Sequence, residues 1–374
     1  MIVIFYGTGA ELIKMYGIIK MVPRDESLLI CTAQQYAGLQ KLHKQLDIYP
    51  DFYLAHGWRK KDVANMKQML GLMLRAHGSF AKQFSQIRSI LKKHSKETGT
   101  KNIAIVHGDT LTTVVGSYLA KFLNLPLAHV EAGLRSGSWK SPFPEELDRR
   151  IATKIARIHF APNELAEKNL QKEHAKGVII NTHYNTAKDA IEQSDRFVSS
   201  AYTDLKLPKK YCLVLLHRTE LIENKTDFEA ILQVIHDYAK DGHNVVFTMH
   251  TTTRERIRSH GLDGLLKSKT ISIIDKQAYF DFMAIVKHAD CIITDGGGLQ
   301  EDSYFLGVPV VIHRARTERQ EGIGFNAVLS KMNIEVVKDF LYNHTKKSEL
   351  NKLQDKTSPS AVVVSYLRNN HFLE

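Results

Sequence analysis

Short apolar runs recur along this chain, separated by longer segments in which apolar residues return every three to four positions. The runs are 2–6, 28–32, 103–106, 125–130, 157–161 and 177–180, followed by 211–216, 244–249, 271–274, 290–294 and 308–312. The helical patterns between them are clearest from Asp62 to Leu91, Leu111 to Leu123, Phe228 to Tyr238 and Phe280 to Lys287. Strand–helix alternation of this kind implies parallel sheets covered by helices on both faces. At 374 residues the chain exceeds one typical core, so two doubly wound α/β domains facing a cleft are expected. The alternation breaks at Asp195 to Lys210, which places the linker there and bounds the domains at 1–195 and 196–358.

Composition narrows the function classes. Apolar residues make up 43% and charged residues 24%, as in ordinary globular proteins. No apolar run approaches the roughly 18 residues of a membrane span. The opening Met1-Ile2-Val3-Ile4-Phe5-Tyr6 lacks a basic segment before it and reads as a first strand rather than a secretion signal. Cys31, Cys212 and Cys291 lie far apart in apolar runs, which fits buried reduced thiols and a cytoplasmic protein. The net charge is +11, but Lys60-Lys61, Lys92-Lys93, Lys209-Lys210 and Lys346-Lys347 are scattered without interleaved aromatics. Solvated faces and a diffuse attraction for anions explain them better than nucleic-acid binding.

Three acids stand in three neighbouring segments. Asp109 and Glu131 follow apolar runs, and Glu145 opens a helical segment after Pro144. Strand ends and helix starts on one edge of an open α/β sheet converge on a common crevice. Carboxylates gathered there would be costly without proton chemistry. Taken alone, however, Glu145 and Glu146 read as first-turn acids that complement the helix dipole, and Asp148 with Arg149-Arg150 reads as a solvated face.

Two glycine turns and a histidine complete the pattern. Gly7-Thr8-Gly9 follows the first strand but lacks the third glycine and the ribose-binding acid of a dinucleotide site. It either contacts phosphate or sugar or is a plain tight turn. Gly296-Gly297-Gly298 lies between a strand and a helix, where bare backbone N–H groups and the helix dipole favour an anion. Arg314, Arg316 and Arg319 follow, and a guanidinium fork suits diphosphate oxygens. His217 closes an apolar run. It is either structural or, with Arg218 and Glu220 beside it, part of an anion or substrate site.

In order, these residues resemble the UDP-N-acetylglucosamine 2-epimerase family. The resemblance rests on a Gly-Thr turn with Glu11 and Lys14, then on Val106-His107-Gly108-Asp109-Thr110, His129 to Gly137, and Pro142 to Arg150. It continues through His217-Arg218-Thr219-Glu220, Thr294 to Glu301 and Thr317 to Glu321. It implies two Rossmann-like domains in the GT-B manner, with a C-terminal helix near 360–367, within 359–374, returning to the first. It implies elimination of UDP to 2-acetamidoglucal and re-addition with C2 inverted, serving surface polysaccharide synthesis. Catalytic roles then carry over to Asp109, Glu131, Glu145 and His217. Substrate and UDP contacts carry over to Lys14, Arg135, Arg218, Gln277, Phe282, Gly296, Gly297, Gly298, Glu301 and Arg319. The resemblance implies no cofactor and no metal, and a homodimer.

The chain departs from the family at informative places. Gly9-Ala10 stands for Arg-Pro in the first turn, removing a phosphate-binding arginine, and Gly296 stands for serine. Tyr184-Asn185-Thr186 stands for Gly-Asn-Thr. Gln34-Gln35-Tyr36-Ala37-Gly38 replaces the Gln-His-Arg-x-Met segment that helps bind an activating UDP-GlcNAc in regulated members. Two alternatives to a UDP-sugar epimerase therefore stand: a hydrolysing form releasing UDP and N-acetylmannosamine, and a non-catalytic nucleotide-sugar binder.

Overall fold

Among the described residues every strand pairing is parallel, and the strands form two sheets. The computed structural model describes residues 1–55, 66–136, 144–317, 319–344 and 356–374. The chain forms two compact units, Met1–Ala190 with Thr357–Glu374, and Ile191–Lys356.

The first unit contains β1 (Ile2–Tyr6), β2 (Ser27–Cys31), β3 (Phe52–Tyr53), β4 (Ile103–His107), β5 (Leu127–Val130), β6 (Ile158–Ala161) and β7 (Val178–Asn181). Its helices are α1 (Gly9–Met21), α2 (Tyr36–Leu46), α3 (Met66–Thr98), α4 (Leu111–Phe122), α5 (Glu145–Ile155) and α6 (Glu164–Lys172). Helix α7 (Ala187–Glu192) leads into the second unit. The sheet order is β3-β2-β1-β4-β5-β6-β7, so the winding reverses between β1 and β4. Ligands of such sheets bind beyond the strand ends at that reversal.

The second unit contains β8 (Cys212–Leu215), β9 (Val245–Met249), β10 (Ile271–Asp275), β11 (Cys291–Thr294), β12 (Val310–Ile312) and β13 (Ala327–Leu329). Its helices are α8 (Ser200–Asp204), α9 (Thr219–Ile222), α10 (Lys225–Lys240), α11 (Thr251–His260), α12 (Tyr279–His288), α13 (Gly297–Leu306) and α14 (Ile334–Asn343). The order β10-β9-β8-β11-β12-β13 reverses between β8 and β11. Finally α15 (Pro359–Asn369) packs on α1 of the first unit.

The α/β expectation of parallel Rossmann-like sheets is met. All eleven apolar runs become strands, within one or two residues at each end. Periodicity missed β3 and β13, which are edge strands of two and three residues, too short to carry a pattern. The segment read as a linker instead contains α8, and the division between units falls earlier, inside α7. Of the helical pattern from Asp62, residues 62–65 lie outside the described residues, as do Lys60-Lys61 and Lys346-Lys347.

All three cysteines are buried free thiols. Distant in sequence, Cys212 and Cys291 are direct partners across β8 and β11. Among the described residues no helix is long and apolar enough to cross a membrane.

Candidate active site

In the first unit the reversal between β1 and β4 is sealed by a buried carboxyl. Thr8 caps α1 in a capping box with Glu11, which accepts from Gly7 N and Thr8 N, each at 2.9 Å. Its other oxygen accepts from Thr110 Oγ1 at 2.6 Å, joining the β1 turn to the β4 turn. A Cβ on Gly7 would sit 1.9 Å from Thr32 Oγ1, so only glycine allows this close passage. Burial pushes the Glu11 carboxyl up to about 7 against its hydrogen bonds, from an ordinary value of 4.5.

That shift has a signed consequence. The folded state holds the Glu11 proton to higher pH than the unfolded chain does. Its contribution is therefore complete below about pH 4.5 and lost as pH rises through about 7. Relative to Glu11→Gln, the unfolding free energy of the native sequence should fall by up to about 3 kcal/mol across that window. Urea titrations at stepped pH measure the difference; a constant difference would show that Glu11 ionises at its ordinary value.

Asp109 projects from the turn after β4. His129 in β5 stays neutral, since burial pulls its pKa down to about 3, and its Nε2–H donates to Gly108 O at 2.7 Å. This bond fixes the turn that carries Asp109. Arg149 of α5 donates to Asp109 Oδ2 from Nε at 2.9 Å and Nη2 at 2.6 Å. The solvated-face reading of Asp148 and Arg149 is thus corrected: they are only 6% and 7% exposed, because α5 packs on α4 and β5. The capping reading of Glu146 is corrected as well. It is fully buried and holds Ser136 N at 3.2 Å and Arg150 Nε at 3.1 Å.

Glu131 ends β5 with φ of 64°, a left-handed conformation unusual for a residue with a side chain. Its Oε2 accepts from Lys14 Nζ at 2.5 Å and Asn185 Nδ2 at 2.5 Å, with His107 Nε2 at 3.5 Å. The Asn185 amide cannot flip without loss, because its Oδ1 accepts from Ala187 N at 3.0 Å. Among the described residues, Glu145 Oε2 is buried without a hydrogen-bond partner.

Electrostatics connects these groups. Burial pulls the Arg149 pKa down, but Asp109, then Glu131 and Glu146, more than offset it, so the guanidinium stays charged. Burial, followed by the charges of Asp109 and Glu145, pushes Asp148 up to about 7. Asp109, Glu131 and Glu145 thus share one electrostatic neighbourhood, and Asp148 joins them. Such a cluster can hold one carboxyl protonated beside an ionised neighbour, the condition for acid and base chemistry at one place.

Other assigned residues have internal partners. Arg135 donates to Glu173 from Nε at 2.8 Å and Nη2 at 2.7 Å, and from Nη1 to Leu134 O, which makes it a brace of the framework. Lys14 lies on Glu131 rather than at the glycine turn. Gln34 Oε1 accepts from Thr112 N at 3.3 Å, and Gln35 Oε1 from Gly9 N at 3.4 Å. These amides occupy backbone donors at the first turns of α4 and α1.

The second unit builds a comparable arrangement at its own reversal. His217 follows β8 and Asp295 follows β11. Asp295, almost fully buried, accepts from His217 N and Arg218 N at 2.9 Å each and lies 3.3 Å from His217 Nδ1. It anchors the backbone that carries the ring, while Nδ1 itself makes no hydrogen bond among the described residues. Gly296 caps α13, which begins at Gly297-Gly298, and a Cβ on Gly296 would lie 3.1 Å from His217 Cε1. A serine there would crowd the histidine. Arg319 Nη1 pairs with Glu301 Oε2 at 2.6 Å, and buried Gln300 bonds Arg319 O and Glu321 O, pinning that loop to α13. Arg218 pairs with Glu220 at 3.4 Å. Gln277 Nε2 bonds Asp275 O at 2.7 Å, and Phe282 is half-buried on α12.

Sequence reasoning left Asp295, Asn185, Arg149 and His129 out of the site. Asp295 and His129 stood inside motifs already noticed, but their partners are strand neighbours distant in sequence. Gly137, Pro142, Phe143 and Glu318 of the quoted motifs lie outside the described residues.

Comparison with known proteins gives consistent findings. The family model described as UDP-N-acetylglucosamine 2-epimerase matches residues 20–360. The UDP-N-acetylglucosamine 2-epimerase of Methanocaldococcus jannaschii is 31% identical over 339 residues, covering 87% of this chain and 86% of that protein. The Bacillus subtilis enzyme of the same name is 32% identical over 324 residues, 85% of this chain and 80% of its own. The solved UDP-GlcNAc 2-epimerase of Neisseria meningitidis, bound to UDP-GlcNAc, superposes with a TM-score of 0.77 at 25% identity. That match covers 99% of this chain and 100% of the other.

Proposed function

The chain belongs to the UDP-N-acetylglucosamine 2-epimerase family, and from that premise we propose that it interconverts UDP-GlcNAc and UDP-ManNAc. It is an isomerase that eliminates UDP as the C2 proton leaves, and adds UDP back after the opposite face of the glycal is protonated. The observation that carries this reading is the fixed carboxylate cluster beyond β4 and β5. Arg149 binds Asp109, while Lys14 and Asn185 hold Glu131. The C2 proton is poorly acidic, so a positioned carboxylate base and a second carboxyl as acid are what the reaction needs. Asp109, Glu131 and Glu145 take these roles.

His217, whose backbone is anchored by Asp295, is assigned to assisting departure of UDP. Gly297, Gly298 and Arg319 are assigned to the diphosphate, where the N-terminus of α13 supplies backbone donors and partial positive charge. The same reading places the protein in the cytoplasm, consistent with three free thiols, and as a homodimer serving surface polysaccharide synthesis.

Incubation with UDP-GlcNAc in D2O, followed by proton NMR, tests the proposal. UDP-ManNAc carrying deuterium at C2 is the expected product. Free N-acetylmannosamine and UDP would replace the proposal with the hydrolysing reaction. Binding without exchange or turnover would overturn catalysis on this sugar.

A further inference from the structure

A basic cavity lies in the first unit, lined by none of Asp109, Glu131 and Glu145. About 450 Å³ in volume, it is bounded by the basic side of α5 and the turn after α6. Arg150, Lys154, Arg157 and Lys176 line it, against one carboxylate, Glu173. We propose that this cavity binds a small polyphosphate anion, with inorganic diphosphate as the simplest member of the class.

The walls are built in advance. The Arg157 guanidinium is held over the C-terminus of α5 by Lys154 O, Ile155 O and Ala156 O. The opposite wall is stitched to that residue: Val178 N donates to Arg157 O at 2.9 Å, and His159 Nε2 donates to Lys176 O at 3.1 Å. Gly177 sits at φ 105°, where a Cβ would lie 1.9 Å from Arg157 O, so the turn bearing Lys176 is seated directly on Arg157.

The carboxylate does not neutralise the cavity. Glu173 is taken at both oxygens by Arg135, and that contact is the first cause holding its pKa low. Arg150 adds a further bond to Glu173 at 3.1 Å and also pairs with the buried Glu146 at 3.0 Å, so Arg135 and Arg150 balance these two carboxylates and the excess positive charge of the cavity rests on Lys154, Arg157 and Lys176. Lys154 and Lys176 have no acidic partner among the described residues. Cations gathered in a concave site attract multivalent anions, more strongly at low ionic strength.

The lining also limits the ligand. No phenylalanine, tyrosine or tryptophan contributes, and the one ring in the lining is the small imidazole of His174, so the cavity offers little platform for stacking a nucleobase. The recognised chemistry is phosphate oxygens alone, not a nucleotide or nucleic acid.

The test is calorimetric titration of inorganic diphosphate into the full chain at low salt, saturated with UDP to occupy the proposed substrate site. One saturable binding event is expected. Lys154→Glu with Lys176→Glu, both at exposed positions, should weaken it roughly tenfold or more, while Lys154→Arg with Lys176→Arg retains it. Absence of saturable binding, or equal affinity in the charge-reversed protein, overturns the site. Failure of UDP itself to bind registers in a separate titration and bears on the proposed function instead.

Discussion

Glu131→Gln should slow C2 deuterium exchange in UDP-GlcNAc by roughly 10²- to 10⁴-fold, the range contributed by a positioned general acid or base. The amide keeps the shape but cannot take a proton, and it turns an acceptor towards a donor NH2 where Lys14 and Asn185 already donate. Fold should survive, because the left-handed backbone at this position is set by β5 and not by the carboxylate. Circular dichroism with single-turnover exchange separates the two effects. Exchange within a factor of a few of the native rate, in a folded variant, would remove Glu131 from the chemistry. Asp109→Asn and Glu145→Gln are expected to abolish exchange in the same way, and retention by all three would dismiss the assigned site.

Arg149→Met should cost about 3–5 kcal/mol of stability near neutral pH, the usual result of deleting one partner of a buried ion pair. The guanidinium is 8% exposed and binds Asp109 while lying 3.5 Å from Glu146, itself fully buried. Methionine fills much of the volume but leaves Asp109 without its cation, while Glu146 keeps Arg150. Urea unfolding at neutral pH reads the loss. A loss below about 1 kcal/mol would mark the pair as no stronger than a surface contact.

Arg149 also shows where sequence reading stopped. On paper Glu146, Arg149 and Arg150 stand three and four residues apart, the spacing of an exposed helical ion-pair row. The same spacing serves a buried clamp when a sheet lies beneath the helix, and α5 rests on α4 and β5. Arg135 reads as a substrate or UDP contact in the family motif. In the fold its guanidinium is committed to Glu173, a residue 38 positions away. The edge strands β3 and β13 stayed hidden because two or three residues hold no period.

The sequence alone determined the alternation that makes parallel sheets, because a helix and a buried strand demand different apolar spacings. It also placed Asp109, Glu131 and His217 at strand ends, since each follows within three residues of an apolar run. What only the tertiary structure decided was the winding order, which sets β4 beside β1 and β11 beside β8. That order chose the partners: Glu11 with Thr110, Asp295 with His217, Lys14 and Asn185 with Glu131. Charge in low dielectric is governed by neighbours within a few ångströms. Those neighbours come from strands and helices distant in the chain, so no local pattern could have named them.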